Sequence, residues 1–365
     1  MSARFAAAHA AGADWRALVE DCARQLSGAV AKPTLGFVYA TDAFAAEFDA
    51  IVAALRERTG LADWVGTVGY GVVAGDREYF DEPALAVMTT ALPREAWRLM
   101  PPSSEWRVPA LAGAGPGVAI VHGDGGEEAL GERLADLAGA SGAYVLGGLG
   151  SSRSELPQVA GSVGRAALSG VLLAPGLVNA SGVSQGCSPI GAARTITAAR
   201  DNLVESIDDM PALAALQADL AALPASEREA AARRLHVALP VPGSDTGDYL
   251  VRNIVGVDPR SGAIAVGDLV EPGRTLRFVR RDRDAAGQDL ARMAAAARRR
   301  AGAAPAASLY FSCVARGPNL FGPGSAELAL LRRELGDAPL IGLFCNGEIA
   351  NARLYGYTGV LALFA

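Results

Sequence analysis

Residues 307–345 read ASLYFSCVARGPNLFGPGSAELALLRRELGDAPLIGLFC, and the fold is decided there. Ala307 to Cys313 is a short apolar run of strand type. Ser325 suits a helix N-cap, and Leu328, Leu331 and Leu335 recur at the helical period. Gly336 is a helix stop, and Pro339 to Cys345 is a second apolar run. A third run, Thr358 to Phe364, follows.

The same order occurs twice upstream. Thr34 to Ala40 is strand-like, and Asp42 caps a helix carrying Phe44, Phe48, Ile51, Val52 and Leu55. Gly60 ends it, and Trp64 to Tyr70 and Ala84 to Thr90 read as strands. Then come Gly117 to Val121, a helix capped by Asp124 with Leu130, Leu134 and Leu137, a stop at Gly139, and strands at Ala143 to Gly148 and Ala166 to Leu173. The two strands flanking each helix start roughly 30 residues apart, a length that suits a crossover helix joining parallel strands. The last strand of each set then pairs antiparallel. The expected class is α/β, with mixed sheets built from repeated β-α-β-β units and helices packed outside. The repetition is one of elements, not of residue identities.

The remaining segments are less regular. Met1 to Ala13 reads as a ragged end running into a helix from Ala13 to Val30, with no signal peptide. Leu92 to Gly117, with five prolines, reads as a long connection. Tyr249 to Val257, Ala263 to Val266 and Arg274 to Arg280 read as a strand meander. A helix follows from Asp284 to Arg300.

Composition narrows the function classes. The chain has 365 residues, 51% of them hydrophobic, enough for a sizeable core. The net charge is −6 and Lys32 is the single lysine, so no polybasic nucleic-acid footprint is expected. No apolar run reaches the ~18 residues of a membrane span. Cys22, Cys187, Cys313 and Cys345 are far apart and form no CxxC pair, which points to a reduced cytoplasmic protein without a zinc ribbon. His9, His122 and His236 lie in unrelated contexts, so neither a metal nor a cofactor is expected.

Gly182-Val183-Ser184-Gln185-Gly186 fits the GxSxG nucleophile elbow, with Asp208 or Asp209 and His236 downstream. The elbow needs a strand turning directly into a helix, and the proline-containing Cys187-Ser188-Pro189 argues against one. A thiol enzyme using Cys187, Cys313 or Cys345 is the other catalytic alternative. The residues after the third-set strands carry more. Arg316 follows Cys313, and Asn346 and Glu348 follow Cys345. If those strands are parallel neighbours, Arg316 and Glu348 leave the same sheet edge, where ligands bind in open α/β folds. Arginine suits a carboxylate and glutamate an ammonium, so the pair fits a zwitterion. An Arg316–Glu348 ion pair is the equal alternative.

Several blocks together resemble the FIST family, the sensory domain of F-box and intracellular signal transduction proteins. They are Gly147-Gly148, Gln185-Gly186-Cys187-Ser188-Pro189-Ile190-Gly191 and Asn202-Leu203-Val204-Glu205-Ser206-Ile207-Asp208 with Pro211-Ala212-Leu213. Leu250 to Ile254 with Asp258-Pro259, Arg281-Asp282, Phe311 to Gly317 and Gly347-Glu348-Ile349 complete the set, in family order. Ser188, Ala350-Asn351 and Tyr355-Gly356-Tyr357 depart from the pattern. The resemblance implies two intimately associated FIST subdomains, with an N-terminal helix over 1–32, a FIST_N-like domain over 33–225 and a FIST_C-like domain over 226–365. It implies a module that binds a small polar ligand, with amino acids among the candidates, and signals to a separate protein partner. No output domain is expected within these residues, and nucleic acid and membrane are not expected as partners. Cys187, Cys313, Arg316, Asn346, Glu348, Gly147 and Gly148 are the expected ligand-binding residues. A protein–protein adaptor without a ligand is the further alternative.

Overall fold

In the computed structural model the described residues are 4–364, apart from 104, 106, 112–114, 116 and 242–247. The chain forms two units, residues 1–185 with 287–365, and residues 186–286.

The first unit contains the expected repetition three times. Its leading strands are Leu35–Thr41, Val118–Gly123 and Ala307–Cys313. Its following strands, Trp64–Gly69, Tyr144–Leu149 and Leu340–Cys345, run parallel to them in register. Helices Phe48–Thr59, Leu130–Ser141 and Ala326–Leu335 make the crossovers. The closing strands, Ala84–Thr90, Leu168–Leu173 and Gly359–Phe364, pair antiparallel with the leading ones. The first and third helices end at the expected glycines, Gly60 and Gly336. The second runs past Gly139 to Gly142, whose left-handed φ of 62° supplies the stop.

Two further features complete each sheet. An edge strand borders each closing strand: Phe5–Ala11, Trp97–Met100 and Val178–Ser184. After each following strand the chain makes a hairpin that leaves its own sheet. Gly71–Ala74 pairs with Leu340–Cys345, Gln158–Ala160 with Trp64–Gly69, and Glu348–Ala350 with Tyr144–Leu149. The three repeats thus exchange hairpins in a closed cycle, giving three six-stranded sheets of one order. Each hairpin covers the edge of its neighbour's following strand, and its own outer strand becomes the sheet edge.

The N-terminal stretch corrects the sequence reading. Phe5–Ala11 is an edge strand rather than a ragged end, and the helix begins only at Trp15. Seven alanine-rich residues show no period of their own. Pairing with Ala84–Thr90 decides their state, together with Phe5, whose ring lies 5.0 Å from that of Phe364. The proline-rich connection likewise holds the strand Trp97–Met100. The reading of Pro116 lies outside the described residues.

Helices cover the outer faces. In the first repeat Leu18, Val19, Cys22, Phe48, Ile51 and Leu55 pack on Ala8, Val38, Ala40, Val68 and Val87. In the second, Leu130, Leu134 and Leu137 pack on Val121 and Val145. The inner faces pack on one another. Tyr39, His122 and Phe311, each the fifth residue of its leading strand, meet with ring centroids 5.4 to 6.0 Å apart. One identity does repeat. Gly66, Gly147 and Gly342 stand opposite Val38, Val121 and Tyr310, and a Cβ at each would overlap the partner's carbonyl oxygen.

The second unit is a small antiparallel barrel, reached in chain order between the third edge strand and the third leading strand. Arg194–Arg200, Leu203–Ile207, Ile264–Val266, Tyr249–Val257, Leu235–Pro240 and Thr275–Arg281 pair in that order, and the last pairs back to the first. Ile196, Ile207, Val237, Leu239, Ile264 and Phe278 fill it. The expected meander holds for its first two strands, joined by a turn in which Asp258 accepts from Arg260 N and Ser261 Oγ. The third strand departs from it, because Thr275–Arg281 closes the barrel against Leu235–Pro240 instead. The helix Arg283–Ala301 leads out of this unit into the first. No helix among the described residues is long and apolar enough to cross a membrane.

Candidate ligand site

The third leading and following strands end together, with Cys313 and Cys345 as register partners. The two segments beyond them therefore emerge at one sheet edge. The turn after Cys313 is closed by Arg316 N donating to Cys313 O at 2.8 Å, and it folds Arg316 back into the protein. Glu348 begins the hairpin strand that pairs with the second sheet, opposite Gly148. Both side chains are completely buried (0% exposed).

Arg316 has a different partner from either expected one. Its Nε donates to Glu327 Oε1 at 2.7 Å, its Nη2 lies 3.4 Å from Ser184 Oγ, and its guanidinium covers the Phe321 ring at 5.2 Å. Glu327 also accepts from Tyr310 OH (2.6 Å), Ser312 Oγ (3.0 and 3.1 Å) and Gly317 N (2.8 Å). A buried ion pair persists only when its lone pairs are satisfied this fully. Burial works against the Arg316 charge, but Glu327 and Tyr310 outweigh it and move its pKa upward. The Arg316–Glu348 ion pair is therefore corrected to Arg316–Glu327. Glu348 feels the guanidinium only as a secondary electrostatic influence.

Glu348 is bound differently. Its Oε2 accepts from Thr358 N (3.1 Å) and Thr358 Oγ1 (2.8 Å). Burial pushes its pKa up to about 8, against the hydrogen bonds from Thr358 and the attraction of Arg316. Glu348 Oε1 and Arg316 Nη1 are buried without a hydrogen-bond partner among the described residues. The Cys313 thiol is the last of the influences that hold the Glu348 pKa down. Burial, with Glu348 adding to it, drives the Cys313 and Cys345 thiol pKa values up, so both are protonated at neutral pH. Cys345 Sγ occupies the space a Cβ would take at Gly148.

Of the expected residues, the structure gathers Gly147, Gly148, Cys313, Arg316 and Glu348 around this strand end. Asn346 lies in the exposed turn beside them, its N donating to Leu149 O at 3.2 Å. Cys187 belongs to the second unit, where its carbonyl accepts from Tyr249 OH at 3.2 Å. Sequence reasoning missed Glu327, Ser312, Tyr310 and Thr358. Glu327 reads as an ordinary acid in a first helical turn, and nothing local marks its partners. Glu78 was missed too. It arrives on the hairpin strand Arg77–Phe80, and its Oε1 accepts from Leu328 N at 2.8 Å. Burial pushes its pKa up to about 7, against the hydrogen bond from Leu328.

The GxSxG segment lacks the geometry of an elbow. Ser184 ends the strand Val178–Ser184, is fully buried and is followed by the short strand Cys187–Pro189 rather than a helix. His236 sits on the barrel strand Leu235–Pro240 with Nδ1 2.9 Å from Arg234 O. Asp208 pairs with Arg194 at 2.9 Å. Among the described residues no group of three His, Cys, Asp or Glu side chains is placed to hold a metal ion.

Comparison with known proteins gives a consistent picture. The model of the FIST N domain matches residues 34–210, and that of the FIST C domain matches residues 212–351. An uncharacterized protein of Mycobacterium tuberculosis is 31% identical over 344 residues, covering 86% of each chain. An uncharacterized protein of Mycobacterium bovis is 33% identical over 201 residues, covering 52% of this chain and 51% of its own.

Proposed function

The chain belongs to the FIST family, whose domains serve as sensory domains in signalling proteins, and from that premise we propose that it binds a small polar ligand at the third strand end and reports to a separate protein partner. One observation carries the reading. Arg316 and Glu348 are both fully buried just beyond the ends of two neighbouring strands of one sheet edge, and each keeps a polar atom unpaired. Native folds pair nearly all such groups, and an orphan costs about 1–3 kcal/mol. A ligand with an acceptor for Arg316 Nη1 and a donor for Glu348 Oε1 would satisfy both, and a free amino acid has that pattern.

Uptake then requires a local opening, since neither side chain reaches solvent. The site does not read as a thiol enzyme, because Cys313 and Cys345 keep their protons at neutral pH. A cytoplasmic location fits four free cysteines. The test is a thermal-shift screen against the twenty common amino acids, repeated on Glu348→Gln and Arg316→Lys. A ligand at a hundred times its Kd adds ~2.7 kcal/mol. A shift in the unmodified protein that both folded variants lose supports the site. No shift from any amino acid argues for an adaptor instead.

A further inference from the structure

We propose that this site takes up its ligand by proton exchange: a cationic nitrogen of the ligand takes the place of the Glu348 carboxyl proton, which leaves to solvent. The inference rests on the strand-end reading above and adds the charge of the ligand and the proton count of binding.

Arg316 Nε holds Glu327, so that pair is neutral within itself. Glu348 must find its counter-charge elsewhere. From the turn after the leading strand it faces Arg316, already committed, and from the leading strand Cys313. From the following strand it faces Cys345. From the segment before the closing strand comes Thr358, which donates two hydrogen bonds but carries no charge. Across the hairpin its register partner is Tyr355, and on the other side it is Gly148, which has no side chain. One strand beyond Gly148, on the same face, stands His122, whose pKa burial pushes down to about 3, so it is neutral. Among the described residues no uncommitted cation faces the carboxyl.

A carboxylate buried without a counter-charge neutralises itself by keeping its proton. Glu348 Oε1, buried and unpaired, is the atom left to carry it. In the balanced step the neutral Glu348 carboxylic acid meets a ligand ammonium and becomes a carboxylate paired with that ammonium, while one proton passes to solvent. The carboxyl O–H is the single covalent bond that breaks, and its electron pair stays on the oxygen. At Glu348 the ligand ammonium replaces the charge of the departing proton; the carboxylate of a zwitterionic ligand faces Arg316 Nη1, so the whole site becomes one unit more negative. An anionic ligand has nothing to exchange and gains only the Arg316 Nη1 bond. Because a proton must leave, apparent affinity rises about tenfold per pH unit while Glu348 is protonated in the free protein, and levels off once it is not.

The experiment titrates the most stabilising of the twenty amino acids, and its N-acetyl derivative, into the full chain between pH 5.5 and 9. Calorimetry is run in two buffers of different ionisation heat. The expected result is one proton released per amino acid bound at pH 6, the tenfold-per-unit slope flattening near pH 8, and at least tenfold weaker binding of the N-acetyl derivative. Infrared difference spectra of unmodified protein against Glu348→Gln should show a protonated carboxyl stretch at pH 6 that is lost by pH 9.5. An amino acid that binds with no proton release overturns the exchange and leaves the site standing. Absence of the carboxyl band at pH 6 overturns it as well, with no ligand needed. A panel in which nothing binds at any pH overturns the strand-end site itself, and the exchange with it.

Discussion

Glu327→Gln should be among the most damaging single changes in the first unit, although it removes no volume. The four donor groups around the carboxylate, Tyr310 OH, Ser312 Oγ, Arg316 Nε and Gly317 N, leave no side on which an amide N–H is tolerated. Whichever oxygen becomes nitrogen then faces a donor. The charge is lost too, stranding a guanidinium with 0% exposure. Breaking a buried ion pair from one side costs about 3–5 kcal/mol, and a misdirected buried hydrogen bond about 1–3 kcal/mol. The two overlap, so a combined cost of about 4–6 kcal/mol is expected, a large part of the ~5–15 kcal/mol that holds a domain together. Urea unfolding followed by tryptophan fluorescence is the assay, because Trp15, Trp64 and Trp97 belong to the first unit. The double variant Glu327→Leu with Arg316→Met should recover much of the loss, since a buried pair is replaceable by apolar groups of similar volume. A cost below ~1 kcal/mol for Glu327→Gln would refute the reasoning, because Arg316 would then not depend on Glu327.

Other outcomes follow from the same contacts. Glu348 has its folded pKa raised from 4.5 to about 8, so the folded state binds the extra proton, and stability falls as pH climbs from about 4.5 to 8. Glu348→Gln should flatten that slope, by up to ~4 kcal/mol across the window, in unfolding curves at pH 5.5 and 8.5; parallel slopes in the two proteins would show that Glu348 is ionised throughout. Gly148→Ala should cost ~1–3 kcal/mol through its overlap with Cys345 Sγ, and Cys345→Ala in the same chain should return most of it; additive losses in the double-mutant cycle would contradict the contact. Tyr39→Phe with His122→Phe removes the unpaired His122 Nδ1 and repeats the ring of Phe311, so the thermal midpoint should hold or rise; a loss above ~2 kcal/mol would mean the 3.1 Å Tyr39–His122 bond matters more than the orphan nitrogen.

The fold was legible where a helix stopped by glycine separates two apolar runs, although Asp42 and Asp124 do not cap those helices, which begin at Phe48 and Leu130, and Ser325 precedes its helix without a side-chain cap bond. That pattern gives the parallel pairs at Leu35, Val118 and Ala307 and the antiparallel closing strands. It was not legible where pairing is decided at long range. The hairpin Gly71–Phe80 carries no mark that its partner is Leu343, some 270 residues away, and Phe5–Ala11 has no period to show. The equivalent glycines Gly66, Gly147 and Gly342 were visible as letters. Their meaning, close approach of a neighbouring carbonyl, exists only once the strands pair.

The site divides in the same way. Arg316 and Glu348 could be placed at one edge because each lies a few residues beyond a readable strand. The partner of Arg316 could not, because Glu327 reaches it from a helix whose facing direction depends on the packed sheet. The unpaired atoms Arg316 Nη1 and Glu348 Oε1 are a property of packing alone and leave no trace in the sequence.

The most direct measurement is a crystal structure of the full chain grown with the amino acid that stabilises it most. The account predicts that ligand within hydrogen-bond distance of both Arg316 Nη1 and Glu348 Oε1, with the Arg316–Glu327 pair intact. The same ligand bound elsewhere, with those two atoms still unpaired, would contradict it.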